Sequence, residues 1–194
     1  MRPLAAADLL GLEQYARERP AMRARMIGHR AARRLVIGPN CSWSFEDRET
    51  IAYQVQEMLR AERIFEPEGI ADELAAYNPL VPGGQNLKAT FLVEFPDADE
   101  RARRLAELRG VERCCWLQVA GFEHVLAIAD EDLERESEDK TSAVHFLRFE
   151  LSPQMIKALR AGAALSAGVS HRAYHHEVAP VPPGVRAALL ADFD

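Results

Sequence analysis

The residues most able to do chemistry fall in three stretches: 47–65, 143–151 and the histidine-rich SHRAYHHE at 170–177. The first reads as the longest uninterrupted helix, capped by Asp47 and ended before Pro67. A helical period gathers Ile51, Ala52, Val55, Met58 and Leu59 into one apolar arc, and Glu62 projects into that arc about one turn on. A carboxylate on an apolar face is an anomaly worth following. Glu57 and Arg60 lie on the far side of the same helix. In the second stretch, alternation puts His145, Leu147, Phe149 and Leu151 on one face and Val144, Phe146, Arg148 and Glu150 on the other. The plain reading of His145 is a core histidine satisfied by a hydrogen bond, and that of Arg148 is a same-face ion pair with a carboxylate such as Glu62. Convergence of Glu57, Arg60, Glu62, His145 and Arg148 on one cleft would instead make a polar site.

The third stretch concentrates His171, His175 and His176. If it is extended, His171 and His175 share a face some ~13 Å apart, too far to hold one ion. If it is helical, they stand one turn apart and can chelate. Tyr174 and the residues after it favour a strand. A transition-metal site for Fe or Zn would therefore combine Glu62 and His145 with one of His171, His175 or His176; no H-E-x-x-H or Cys/His spacing accompanies them. The three cysteines, Cys41, Cys114 and Cys115, include an adjacent pair and no C-x-x-C, so they read as core thiols rather than disulfide or cluster ligands. G-x-G-x-x-G, G-x-x-x-x-G-K-[ST] and G-x-S-x-G are absent, which leaves dinucleotide, P-loop and nucleophile-elbow chemistry without a motif.

A net charge of −6 gives no overall pull toward nucleic acid or anionic membranes. The charge is uneven, however. Residues 17–34 hold seven arginines and one acid, whereas residues 130–139 hold seven acids and one arginine. A solvated helix surface is the simpler account of the arginines, and a docking face for an anionic partner, through Arg23, Arg30, Arg33 and Arg34, is the sharper one. Nucleic acid would call for interleaved aromatics, which are missing. No run reaches the ~20 apolar residues of a membrane span, and Asp8 and Glu13 interrupt the N-terminal apolar residues, so a cytoplasmic location is expected.

The elements that must position these residues follow from periodicity. Residues 8–34 read as two helical pieces broken at Pro20. Residues 34–38 and 42–45 read as short strands, and a helix follows Pro67. Strands at 87–95, 115–119, 124–128 and 143–151 come next, with helices starting at Asp97 and Ser152. A hairpin at 164–178 and a short terminal helix complete the chain. With 194 residues, nearly half of them apolar, one domain is expected: a basic helical segment at 1–34 and a body at 35–194. The expected class is α+β, a mixed or mainly antiparallel sheet with helices packed on one face or at its ends. The passages 87–119 and 143–169 share a strand–helix–strand order.

ETIAYQVQEMLRAERIF, AYNPLVPGG, KTSAVHFLRFEL and the closing GA-x-L-x-x-GV-x-H-x-x-Y, in that order, resemble the bacterial domain-of-unknown-function family 3501 over essentially the whole chain. The resemblance supplies no catalytic residue. It implies an accessory or binding role beside rubrerythrin-like or iron–sulfur oxidoreductase partners; a small metal-dependent Glu/His enzyme or metal-binding protein is the alternative.

Overall fold

In β3 (Asn86–Val93) every second side chain, Leu87, Ala89, Phe91 and Val93, is buried, and those between are half-open. A strand with this pattern needs a thick core on one side only. The computed structural model, which describes residues 2–131 and 139–194, sets β3 at the centre of a five-stranded antiparallel sheet. Its order is β1 (Arg34–Ile37), β2 (Cys41–Glu46), β3, β7 (Val144–Glu150), β6 (Ile128–Ala129). A second antiparallel sheet runs β5 (Val125–Leu126), β4 (Cys115–Val119), β8 (Leu165–His171), β9 (Tyr174–Val178). The acidic connector at 132–138 lies outside the described residues.

The inner faces of the two sheets share one core. Trp43, Phe91 and Phe149 from the larger sheet meet Leu117, Val119, Ala167 and Val169 from the smaller. Trp43 sits 5.2 Å from Phe149, centroid to centroid, and edge-on to Phe91 at 6.5 Å. Helices α4 (Ala98–Glu107), α5 (Pro153–Arg160) and α6 (Pro183–Leu190) close this core with Leu105, Ile156, Leu159 and Leu189. Asp97 and Ser152 accept from the third residue of α4 and α5, at Glu100 and Met155, as their types at those positions dictate. The passages β3–α4–β4 and β7–α5–β8 are topological counterparts: each leaves the larger sheet, turns through a helix and enters the smaller, where β4 and β8 pair just as β3 and β7 do.

Helices α1 (Leu12–Ala31), α2 (Arg48–Glu62) and α3 (Pro67–Tyr77) surround a smaller cluster of Leu4, Ile51, Val55, Leu59, Leu74 and Val81. Side-chain amides moor the N-terminal segment to it. Gln56 exchanges two hydrogen bonds with the backbone of Leu10, and Asn78 does the same with Leu4.

Three elements differ from expectation. First, α1 runs unbroken through Pro20. The carbonyl that Pro20 leaves without a donor belongs to Ala16, and both residues are exposed, so water can satisfy it. Second, α2 stops at Glu62 because Arg63 turns left-handed (φ 58°) and the Ile64 N–H donates back to Leu59 O at 2.9 Å. Ile64 then packs on the smaller cluster, a hydrophobic closure of the helix end. Third, residues 124–128 are not one strand. Val125–Leu126 pairs with β4 and Ile128–Ala129 with β7, so the chain changes sheets at Ala127, whose N–H is held by Cys115 O.

The sheets also touch at one tight point. Tyr174 of β9 donates its hydroxyl to Ile37 O and accepts from Asn40 N–H, gripping the β1–β2 turn. Gly38 in that turn has φ 69°, and a Cβ there would fall 2.5 Å from the Tyr174 hydroxyl, so only glycine fits.

Candidate functional site

Register aligns a charged rung across the outer face of the larger sheet. Glu46 of β2 stands opposite Lys88 of β3, which stands opposite Arg148 of β7. Opposed residues share a face, so three charges line up where the inner face carries aromatics. The turn at Asn78–Leu80 leans over this rung, and Lys88 donates to the carbonyl of Pro79. Between turn and sheet lies a cleft of about 220 Å³, walled by Pro79, Leu80, Phe146 and the β3 and β7 backbones, with Glu46, Lys88, Glu131 and Arg148 around it.

Each charge in the cleft has a defined role. Glu46 is buried and accepts from the hydroxyls of Thr50 (2.6 Å) and Thr90 (2.7 Å). Arg148 holds Glu131 through two parallel bonds of 2.7 Å and also grips Glu150. That fork holds the Glu131 carboxyl below its usual range, the direct hydrogen bond being the main cause. Lys88 is also held below its ordinary value, first by desolvation and then by the Arg148 charge beside it.

The candidate residues read from sequence do not meet here as a group. Glu57 and Arg60 belong to the helical layer. There Arg19 makes two bonds of 2.7 Å to Glu57 and the Tyr15 hydroxyl also donates to it; Arg19 first and Tyr15 second hold the Glu57 carboxyl down at about 2, with the Arg60 charge adding to the effect. Glu62 does not reach the apolar arc. It is exposed, because α2 outruns the cluster in its last turn, and its charge bears on Glu73 of α3. Arg148 accordingly pairs with Glu131 and Glu150 rather than with Glu62.

His145 is fully buried on the inner face. Its Nδ1 lies 2.6 Å from Asp130 Oδ2, and its Nε2 lies 3.0 Å from Thr141 Oγ1 and 3.1 Å from Ser142 O. This is an Asp–His–Thr line, but the histidine and the threonine are both buried, the threonine 1 % exposed. It works as a lock that fixes the start of β7: Asp130 Oδ1 also accepts the Phe146 N–H.

The hairpin turn at Arg172–Ala173 separates the C-terminal histidines. His171 is buried opposite Tyr174, and its Nε2 is 3.1 Å from Arg109 O. His175, opposite Ser170, and His176, beside the Tyr174 ring, are exposed on alternate faces of β9. The expected sharing of one face by His171 and His175 fails because the turn resets the alternation. Among the described residues no three His, Cys, Asp or Glu side chains gather as a metal would need. Of the docking arginines, Arg23 and Arg30 are exposed on α1 and Arg34 is half-open beside Glu94. Arg33 is turned inward: it is 3 % exposed and bonds Phe45 O, Glu46 O, Ala188 O and the Asp192 carboxylate.

The thiols are poorly placed for exchange chemistry. Burial pushes Cys41 up to about 12 and Cys115 well above its ordinary value. Asp192 is pushed up to about 6, burial outweighing the Arg33 charge beside it.

The residues that sequence reasoning passes over are Glu46, Lys88, Thr90 and Glu131. For Glu46, Lys88 and Thr90 the signal lies in the strands: CSWSFE and LKATFLVE put them at outward positions, but pairing register is needed to see them as neighbours of Arg148.

Comparison with known proteins agrees with this architecture. A crystal structure from Burkholderia pseudomallei K96243, described as a novel protein of unknown function, is 48% identical, with 100% of each chain covered and a TM-score of 0.94. No curated protein matches the chain. No helix among the described residues is long and apolar enough to cross a membrane. The profile of the family described as "Protein of unknown function (DUF3501)" matches residues 3–193, and the chain belongs to that family.

Proposed function

We propose that this chain is a cytoplasmic accessory protein that docks through the open face of α1 on an acidic surface of a redox protein. The expected partner class is an iron–sulfur oxidoreductase or a rubrerythrin-like protein, as the family resemblance implies. The observation that carries the docking is the exposure of α1. Of its 20 residues only Tyr15 and Met26 are buried. Arg23, Ile27 and Arg30 follow one another at helical spacing on a single stripe, and Ile27 is 65 % exposed between the two cations. Arg30 rests 5.8 Å from the Tyr53 ring, which steadies it at the edge of the stripe. An apolar anchor flanked by arginines suits a partner with a carboxylate-rimmed apolar patch. Cys41 and Cys115 are buried, which raises both thiols, so in this reading the redox centre belongs to the partner.

The test is co-purification from an extract at low salt, with iron measured in the retained protein. An iron-bearing partner held by the natural chain and lost by an Arg23→Glu/Arg30→Glu double variant of unchanged melting temperature is the expected result. Retention of no iron-bearing protein, or equal retention by the double variant, overturns the reading.

A further inference from the structure

The cleft over β2, β3 and β7 is a separate feature from α1, and its chemistry is specific. Its walls are apolar: Pro79, Leu80 and Phe146 with the strand backbones beneath. Its polar end is the pair Lys88 and Arg148, adjacent across β3 and β7. Four carboxylates and hydroxyls nearby are already committed: Glu46 to Thr50 and Thr90, and Glu150 to Asn86 and Arg148. One carboxylate differs from these. Glu131 is half-exposed, reaches Arg148 from outside the sheet, and sits where the cleft meets solvent. It makes the two-pronged contact that a free carboxylate makes with a guanidinium.

We propose that this cleft binds a small organic monocarboxylate with an apolar body, whose carboxylate takes the place on Arg148 now held by Glu131. The exchange is one for one, so the charge balance of the cleft is unchanged. With Glu131 displaced, Lys88 and Arg148 face Glu46 and Glu150, and a single negative charge restores the present balance. A dianion such as phosphate or a dicarboxylate brings one charge too many. Only one of the three ammonium donors of Lys88 is needed by the Pro79 carbonyl, and the incoming carboxylate can accept another. The apolar walls take the hydrocarbon, and at about 220 Å³ the space is smaller than the ~300–1,000 Å³ of pockets for drug-sized ligands. A short aliphatic or single-ring acid fits that description.

The experiment is a titration of the full chain with hexanoate and with phenylacetate, read by amide chemical-shift changes at Lys88, Phe146 and Arg148. Hexanamide, inorganic phosphate and succinate are the comparison ligands. Both monocarboxylates bind in a saturable way, and the three comparison ligands do not. Removing the internal competitor with Glu131→Ala tightens both acids about tenfold, the gain expected when Glu131 otherwise occupies the site about nine-tenths of the time. Arg148→Met abolishes binding, and Lys88→Met weakens it while keeping the Arg148 ion pairs intact, so a folding defect in one variant does not decide the matter. Absence of saturable binding by both the natural chain and the Glu131→Ala variant overturns the proposal. Binding of hexanamide as tight as hexanoate, or an unchanged affinity in Glu131→Ala, does so equally. None of these outcomes bears on the α1 surface.

Discussion

The two faces of the five-stranded sheet use polar residues in opposite ways. On the inner face His145 is sealed among aromatics, 5.9 Å from the Phe91 ring, with its nitrogens committed to Asp130 and to Thr141 and Ser142. On the outer face Lys88 and Arg148, two strands' worth of the same register, meet a cleft open to solvent. The residue type most often suspected of catalysis is here a structural lock, and the pair most often dismissed as surface charge borders the concave site. Burial alone does not mark function. What separates the faces is whether a group's partners can be exchanged for those of a ligand.

Four measurements bear on that contrast. The largest effect comes from the inner face: Phe149→Ala, at a fully buried ring against Trp43, costs about 3–5 kcal/mol in chemical denaturation. Phe146→Ala, three residues earlier on the outer face and only half-buried, costs about 1 kcal/mol. Equal losses would erase the distinction. Second is pH. Asp192 is raised from 3.8 to about 6, so the folded state holds its proton more tightly than the unfolded state, and its contribution to stability falls as pH rises from about 4 through about 6. Glu57 is lowered from 4.5 to about 2, so its contribution is present above about 4.5 and is lost as pH falls toward 2. Asp192→Asn flattens the upper limb of the pH–stability curve, and Glu57→Gln the lower. A curve that rises between pH 4 and 6 in the natural chain, and keeps that slope in Asp192→Asn, would contradict the assignment. Third, Asp130→Ala strips acceptors from His145 and from the Phe146 N–H and costs about 1–3 kcal/mol. Fourth and smallest, the neighbouring Glu131→Ala moves stability by no more than about 0.5 kcal/mol, since its carboxylate is half-exposed. Comparable losses at 130 and 131 would show that Glu131 is part of the fold rather than a replaceable occupant.

Much of the fold is legible in the chain. Asp47, Asp97 and Ser152 cap the helices that their positions announce, and the alternation in 143–151 sorts His145 from Arg148 correctly. These are local effects, decided within a few residues. What periodicity does not carry is the partner of each strand. The split at Ala127 sends three consecutive residues toward two different sheets, and no local pattern in HVLAI records it. Glu62 misleads for a related reason: its angle on the helix is as read, but its height lies beyond the cluster that the helix covers. The C-terminal histidines are divided by a two-residue turn that alternation passes over. The candidate cleft draws on β2, β3, β7, the turn at Asn78–Leu80 and Glu131 two residues past β6, so it exists only once register is fixed.

The contact of Tyr174 with the β1–β2 turn joins residues 137 apart in the chain, and the Arg33–Asp192 pair joins residues 159 apart. During synthesis the first hairpin therefore emerges long before the groups that fasten it, and the large apolar rings of β2 and β3 wait without their covering layer. Contacts this distant in sequence are expected to slow folding, because the chain must be closed over a long loop before they form. Chaperone dependence of a nascent chain truncated before Tyr174 would be the biological trace of that order of events.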